Sequence, residues 1–279
     1  MIDVLIATRL HGLLWLLGTF SVLLFIVCGK KGLRALVGLF ISFIILAKGI
    51  VPFITQGYNP VVVTIVGGTV ILLTIVYLTE GFTRGAHVAI ISVLLCAALT
   101  IGLAWLFTNL TQLTGLSSEE TAYVSGYGTH TIDLKELLLG GMVTGIIAAL
   151  TEITVSQVIT IEELNISHPD MPFRQLFVKA HRIGVSHLTS TINTLFLIYA
   201  AASFSILIIV IGGQHTWQDI VTSELLSTEI VQTFTSAMGI VISVPVSTAL
   251  AIWWFRKASV SKSITAKELA TKENFNKSI

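Results

Sequence analysis

Apolar residues run in long blocks separated by short polar stretches, and seven blocks are long enough for helices that cross a bilayer. They are His11 to Cys28, Leu36 to Ile54, Val61 to Leu78, Val88 to Leu110, Leu137 to Val158, Leu188 to Ile211 and Ile230 to Phe255. A crossing needs about 20 mostly apolar residues, because a rise of about 1.5 Å per residue must cover roughly 30 Å of hydrocarbon. The pattern predicts an all-α, polytopic helical membrane protein with about seven transmembrane helices. Residues 1–35 form a first transmembrane helix with a basic loop, 36–256 a six-helix core, and 257–279 a Lys-rich tail expected to be frayed or disordered near anionic lipid.

Two segments outside the blocks carry local order. Phe173, Leu176, Phe177 and Ala180 fall at i, i+3, i+4 and i+7, opposite Arg174, Lys179 and Arg182. This spacing describes a short amphipathic helix, either lying on the membrane surface or packed as a connector. Ser117 with Glu120 is spaced as a helix capping box within the long polar stretch from Thr111 to Glu136.

Composition agrees with the pattern: 54% of the 279 residues are hydrophobic and 11% charged, with a mean hydropathy of +0.89. That leaves too little polar surface to cover a soluble globule. The net charge of +1 matters less than its distribution. With the N-terminus outside, the inner loops and tail collect thirteen Lys and Arg, including Lys30, Lys31, Arg34, Arg84, Arg182 and Arg256, while the outside keeps Arg9 and Lys135. The positive-inside rule therefore predicts an outer N-terminus and a cytoplasmic C-terminus. The first block lacks a signal-peptide cleavage pattern at Gly29-Lys30-Lys31-Gly32 and reads as a retained helix. Lys48, two turns from the outer end of its helix, reads as a snorkelling lysine. Glu162 and Glu163, after the fifth span, read as solvated.

Glu152 stands out as an acid well inside an apolar span, roughly 9 Å from the inner end at about 1.5 Å per residue. A charge at that depth costs about 2.5 to 3.5 kcal/mol to insert and marks a functional candidate. Ser190, Asn193 and Thr194 on the sixth span lie at matching depth. Thr151 and Ser156 flank the acid on its own helix, and Ser243, Pro245, Ser247 and Thr248 occupy the inner half of the seventh. Gly141 and Gly145 permit close helix contact. Together these predict a polar seam across three helices. Two readings fit it: a proton or ion relay in which Glu152, held by Asn193 and Thr hydroxyls, changes protonation, or a protonated carboxyl that joins helices.

Other chemistry finds little support. No P-loop, HExxH, paired Cys or G-x-S-x-G pattern occurs, so neither an enzyme, a metal site nor a cofactor is expected, and no feature points to nucleic acid. Ser156, one turn after Glu152, is the sole faint candidate for an intramembrane hydrolase. Cys28 and Cys96 lie in apolar blocks and read as small hydrophobes. His168, His181 and His187 read as interfacial or helix-end residues.

The stretch from Gly115 to Ala251 resembles the YibE/F family of multi-pass membrane proteins. The likeness rests on Ser118-Glu119-Glu120, Ile132-Asp133-Leu134 and Leu137-Leu138-Leu139, then a small-residue helix carrying an acid. It continues through His168-Pro169-Asp170 with Phe173 and Leu176-Phe177, and through Thr191-Ile192-Asn193-Thr194-Leu195 with Tyr199. The family usually has Asp where this chain has Glu152 and Gly-Ala at Ala148-Ala149. The short form, without a large extracytoplasmic domain, resembles the YibF-like member and implies a YibE-like companion. More distantly, the last six spans resemble one transmembrane half of the resistance, nodulation and division permeases and of SecD and SecF, with Glu152 on the fourth core helix. The permease likeness concerns fold; with Glu152 as the coupling group, the leading expectation is a proton-coupled transport or export subunit of the inner or plasma membrane, working as a homo- or hetero-oligomer. A non-transporting scaffold or assembly factor for the companion is the alternative.

Overall fold

A computed structural model describes residues 2–116, 132–204, 208, 212, 218 and 223–277. The long helices in chain order are α1 (Ile2–Ile45), running through a π-helical turn at Leu46–Ile50 into the short α2 (Val51–Thr55), then α3 (Pro60–Glu80), α4 (Arg84–Leu110), α5 (Leu134–Ser167), α6 (Phe173–Ala202) and α7 (Glu224–Lys277). Six helical segments among the described residues are long and apolar enough to cross a membrane: Arg9–Thr55, Pro60–Glu80, Arg84–Leu110, Leu134–Ser167, Phe173–Ala202 and Glu224–Arg256.

The count is six rather than seven because the first two expected spans run together in one 47-residue segment. The expected basic loop between them is helical. Its lysines and arginine are good helix formers, and the interruption is confined to Gly29, whose φ of 55° and ψ of −135° lie outside the helical region. Only glycine adopts such a conformation readily. Three residues on, a Cβ at Gly32 would lie 2.6 Å from the Leu24 carbonyl oxygen, so the chain doubles closely on itself at this break. Lys31 then reaches Glu80 at the end of α3, at 2.9 Å.

Polar residues set the other helix ends. Asn59 and Thr83 cap α3 and α4 by accepting from Val62 N and Ala86 N, both at 3.1 Å. Asp133 caps α5 by accepting from Lys135 N and Glu136 N. Asn59 also donates to Glu136 at 2.7 Å, joining the starts of α3 and α5. At the same end, Glu224 of α7 accepts from Thr114 N, Gly115 N and Leu116 N and from the Thr114 hydroxyl, which anchors the chain leaving α4.

Within this frame α5 is central: it packs against α3, α4, α6 and α7, while among the described residues α1 packs chiefly against α3 and its own continuation. Half of the apolar window of α5 and of α7 is buried, against 6% for α6. Lipid tails are as apolar as leucine, so burial alone does not drive helices together in a bilayer; close packing does. Small residues provide it. A Cβ at Gly239 of α7 would meet Thr100 Oγ1 of α4 at 2.5 Å, one at Gly68 of α3 would meet Ile147 of α5 at 2.7 Å, and one at Gly140 of α5 would meet the Pro60 carbonyl at 3.2 Å. The interlocked centre holds Leu72, Val93, Ile146, Leu150 and Ile240, all at most 1% exposed.

The segment from Phe173 is not a separate surface helix. It is the first third of α6, continuous with the expected sixth span, and it is a packed connector: Leu176 and Ala180 are fully buried against Val158, Ile161 and Ile252 while Arg174, Lys179 and Arg182 stay exposed. The remainder of the expected span Leu188 to Ile211 passes Ala202 into positions that lie mostly outside the described residues, as does the Ser117 to Glu120 capping box. Glu162 also departs from expectation. It is half-buried, with its carboxylate against Gly85 at the start of α4, where the helix dipole favours a negative charge. The expected frayed tail is helical to Lys277, since no Gly or Pro follows the last span to stop the helix.

Gly239→Ala forces the α4–α7 contact apart and lowers stability by about 1 to 3 kcal/mol. Gly141→Ala, which meets nothing within 4 Å, leaves it unchanged or slightly raised. Thermal unfolding of the two variants in detergent checks this.

Candidate functional site

Glu152 lies midway along α5 on the side turned away from the core, and it is exposed. Its neighbours Ile153 and Thr154 point inward and are buried. The carboxylate stands where two grooves meet. One, of about 380 Å³, runs between α5 and α6 and is lined by Gly145, Glu152, His187, Ser190, Thr194 and Tyr199 among others. The other, of about 410 Å³, runs between α5 and α3 past Thr151, Glu152, Ser156, Thr79 and Glu80.

The sequence-derived residues therefore divide. Ser190 and Thr194 share the α6 groove with Glu152, and Thr151 and Ser156 share the α3 groove. Asn193 is exposed and lies outside both linings. The reason is helical phase: at about 100° per residue, the groove-lining set His187, Ser190, Thr191, Thr194 and Ile198 centres well over 90° away from Asn193. Hydrogen bonding is also different from the expectation. Thr151, Thr191 and Thr194 donate to the carbonyls of Ile147, His187 and Ser190 on their own helices, at 2.6, 3.1 and 3.1 Å. Among the described residues none donates to the Glu152 carboxylate.

The third helix of the expected seam faces elsewhere. Ser243, Ser247 and Thr248 of α7 are all fully buried, and Thr248 accepts a 2.8 Å hydrogen bond from Gln157 Nε2, which also donates to the Ala180 carbonyl at 3.0 Å. Gln157 is five residues after Glu152, about 140° around the helix, so one face of α5 holds the acid and another holds a structural amide. Gly184 makes room for that amide, since a Cβ there would lie 2.6 Å from Gln157 Oε1. The polar seam is thus two separate features: an interior junction of α5, α6 and α7 through Gln157, and an outward polar groove at Glu152.

His187 and Tyr199 line the Glu152 groove but were assigned no role from the sequence. The repeat 187, 190, 191, 194, 198 at helical spacing was the available signal for His187. Tyr199 is set by a contact that no spacing reveals: Gln232 Nε2 of α7 donates to its hydroxyl at 2.9 Å. The outward face of α6 carries Ser186, Thr189, Ser190, Asn193 and Thr194, all exposed, a row of polar groups at the depth of an apolar span. Among the described residues no group of His, Cys, Asp or Glu is arranged to hold a metal ion.

Six apolar helices around a buried, small-residue core, with an acid in mid-span, define a multi-pass membrane protein. The chain belongs to the YibE/F family: the model of the YibE/F-like proteins matches residues 16–257. No curated protein and no solved structure matches it.

Gln157→Leu keeps the volume but removes two interhelical hydrogen bonds worth about 0.6 kcal/mol each in membranes. The expected loss of stability, on the order of 1 kcal/mol, is read by unfolding in detergent, with the Glu152 groove unaffected.

Proposed function

We propose that the protein is a subunit of a proton-coupled transport or export system of the plasma membrane, with Glu152 as the group that takes up and releases the proton. The observation that carries this reading is the placement of one mid-span carboxyl at the junction of two polar grooves, one leading along α6 and the other toward Glu80 at the end of α3. A carboxyl in that position alternates between a neutral state that lipid tolerates and an ionised state that it does not. Two-state packing of α3 and α6 against α5 follows from that change.

Glu152 and the polar row on α6 are exposed in the single chain. Leaving a charge against lipid at that depth costs about 2.5 to 3.5 kcal/mol, so in the assembled system this face is covered by a second membrane protein. We take a YibE-like companion as that partner, with a second copy of this chain as the alternative. In this reading the break at Gly29 lets the first long segment cross twice, which would give seven spans, an outer N-terminus and a six-helix core like one half of the resistance, nodulation and division permeases. A scaffold for the companion is the second reading, favoured by the same exposed polar row on α6. A contact surface needs no titrating group, so the two readings differ at Glu152.

In pH-gradient vesicles holding the chain and its companion, Glu152→Gln lowers proton flux about a hundredfold or more, the usual scale when a positioned proton-transfer group is removed, while the assembly still purifies intact. Flux equal to wild type in a correctly assembled variant would refute coupling through Glu152 and leave the scaffold.

A further inference from the structure

From the sequence, Glu152 was the one acid placed deep within a span, yet the structure draws a second one inward. Glu229 lies in the second turn of α7, one residue before the expected span, and is half-buried there. Its Oε2 is buried without a hydrogen-bond partner. It lines a cavity of about 160 Å³ together with Tyr199, Ser203, Leu226 and Thr233, and the Ser203 hydroxyl is likewise buried and unpartnered. The rest of the lining is mostly apolar, with Phe196, Ala200, Ile230 and Phe234 around these polar groups. Tyr199 is the other titratable group in its lining among the described residues, and no described Lys, Arg or His lines it from α4, α5, α6 or α7.

Tyr199 is shared: it lines both this cavity and the Glu152 groove. Its hydroxyl accepts from Gln232 at 2.9 Å, which leaves the phenolic hydrogen available to donate. Gly145 keeps the place open, because a Cβ there would stand 3.3 Å from the Tyr199 hydroxyl and 3.5 Å from Gln232 Nε2. The pair thus bridges α5, α6 and α7 between the two acids.

We infer that Glu229 is a second proton-binding carboxyl of the membrane domain, linked to the Glu152 groove through Tyr199 and Gln232. This rests on the proton-coupled reading above. A proton leaving the Glu229 carboxyl is received by the Tyr199 phenol oxygen, and an equivalent hydrogen passes from the phenol into the Glu152 groove, where the Glu152 carboxylate accepts it. The tyrosine ends with the proton count it began with, and Glu229 is left as a carboxylate ready to reload.

The test uses the full chain in lipid with two readouts. Infrared titration follows the carbonyl stretch of protonated carboxyls in wild type, Glu152→Gln and Glu229→Gln, and vesicle flux is measured for these and for Tyr199→Phe and Glu229→Asp. The inference expects Glu229→Gln to lose a titrating carboxyl band that Glu152→Gln retains. It also expects flux to fall about tenfold or more in Glu229→Gln and Tyr199→Phe, with substantial recovery in Glu229→Asp, which keeps the carboxyl and controls for folding. An unchanged carboxyl spectrum in Glu229→Gln overturns it. Normal flux in Glu229→Gln beside lost flux in Glu152→Gln overturns it too and leaves Glu152 standing, whereas normal flux in both overturns the coupling reading as well.

Discussion

Close approach of helix backbones to α5 is the constraint on which the rest of the molecule depends. In lipid every backbone group must be satisfied within its own helix, and side-chain burial offers little drive for association. What remains is contact distance. Gly140 under Pro60, Gly68 under Ile147 and Gly239 under Thr100 bring α3, α4, α5 and α7 near enough for dispersion to hold them. Because α5 meets four neighbours, its polar residues are sorted by direction. Gln157 falls between helices and becomes a junction, whereas Glu152 falls on the side left open, where two grooves meet.

That sorting explains why the groove is polar without being a hydrogen-bonded network. The threonines near Glu152 return their hydroxyls to their own helices, which satisfies them in an apolar surround and leaves the carboxyl unclaimed by the described residues. The interior junction behaves in the opposite way. Gln157, Thr248 and the Ala180 carbonyl are mutually satisfied, and Gly184 fits the amide closely. Rigidity at the junction and freedom at the groove therefore lie on one helix, five residues apart.

The surface of α6 extends the same logic beyond the single chain. It has the least buried of the apolar windows, and its exposed face combines Ser186, Thr189, Ser190, Asn193 and Thr194. Polar groups at span depth are enriched where helices meet other helices. Asn193, displaced from the groove by its helical phase, sits on this face rather than beside Glu152.

The apolar blocks and the place of Glu152 within one of them were legible in the sequence, because a crossing of the bilayer at the helical rise demands a long run of apolar residues. The connector pattern from Phe173 to Ala180 was legible as helix for the same reason, and the ordered motifs through Tyr199 were sufficient to point to the family. What only the tertiary structure decided is direction around each helix axis. It joined the first two spans through a break at Gly29, buried Ser243, Ser247 and Thr248 away from the Glu152 grooves with Thr248 bonded to Gln157, set Asn193 aside, and drew His187, Tyr199 and Glu229 to cavities. These depend on which helix packs against which, and contacts such as Gln232 with Tyr199, 33 positions apart, leave no periodic trace in a single chain.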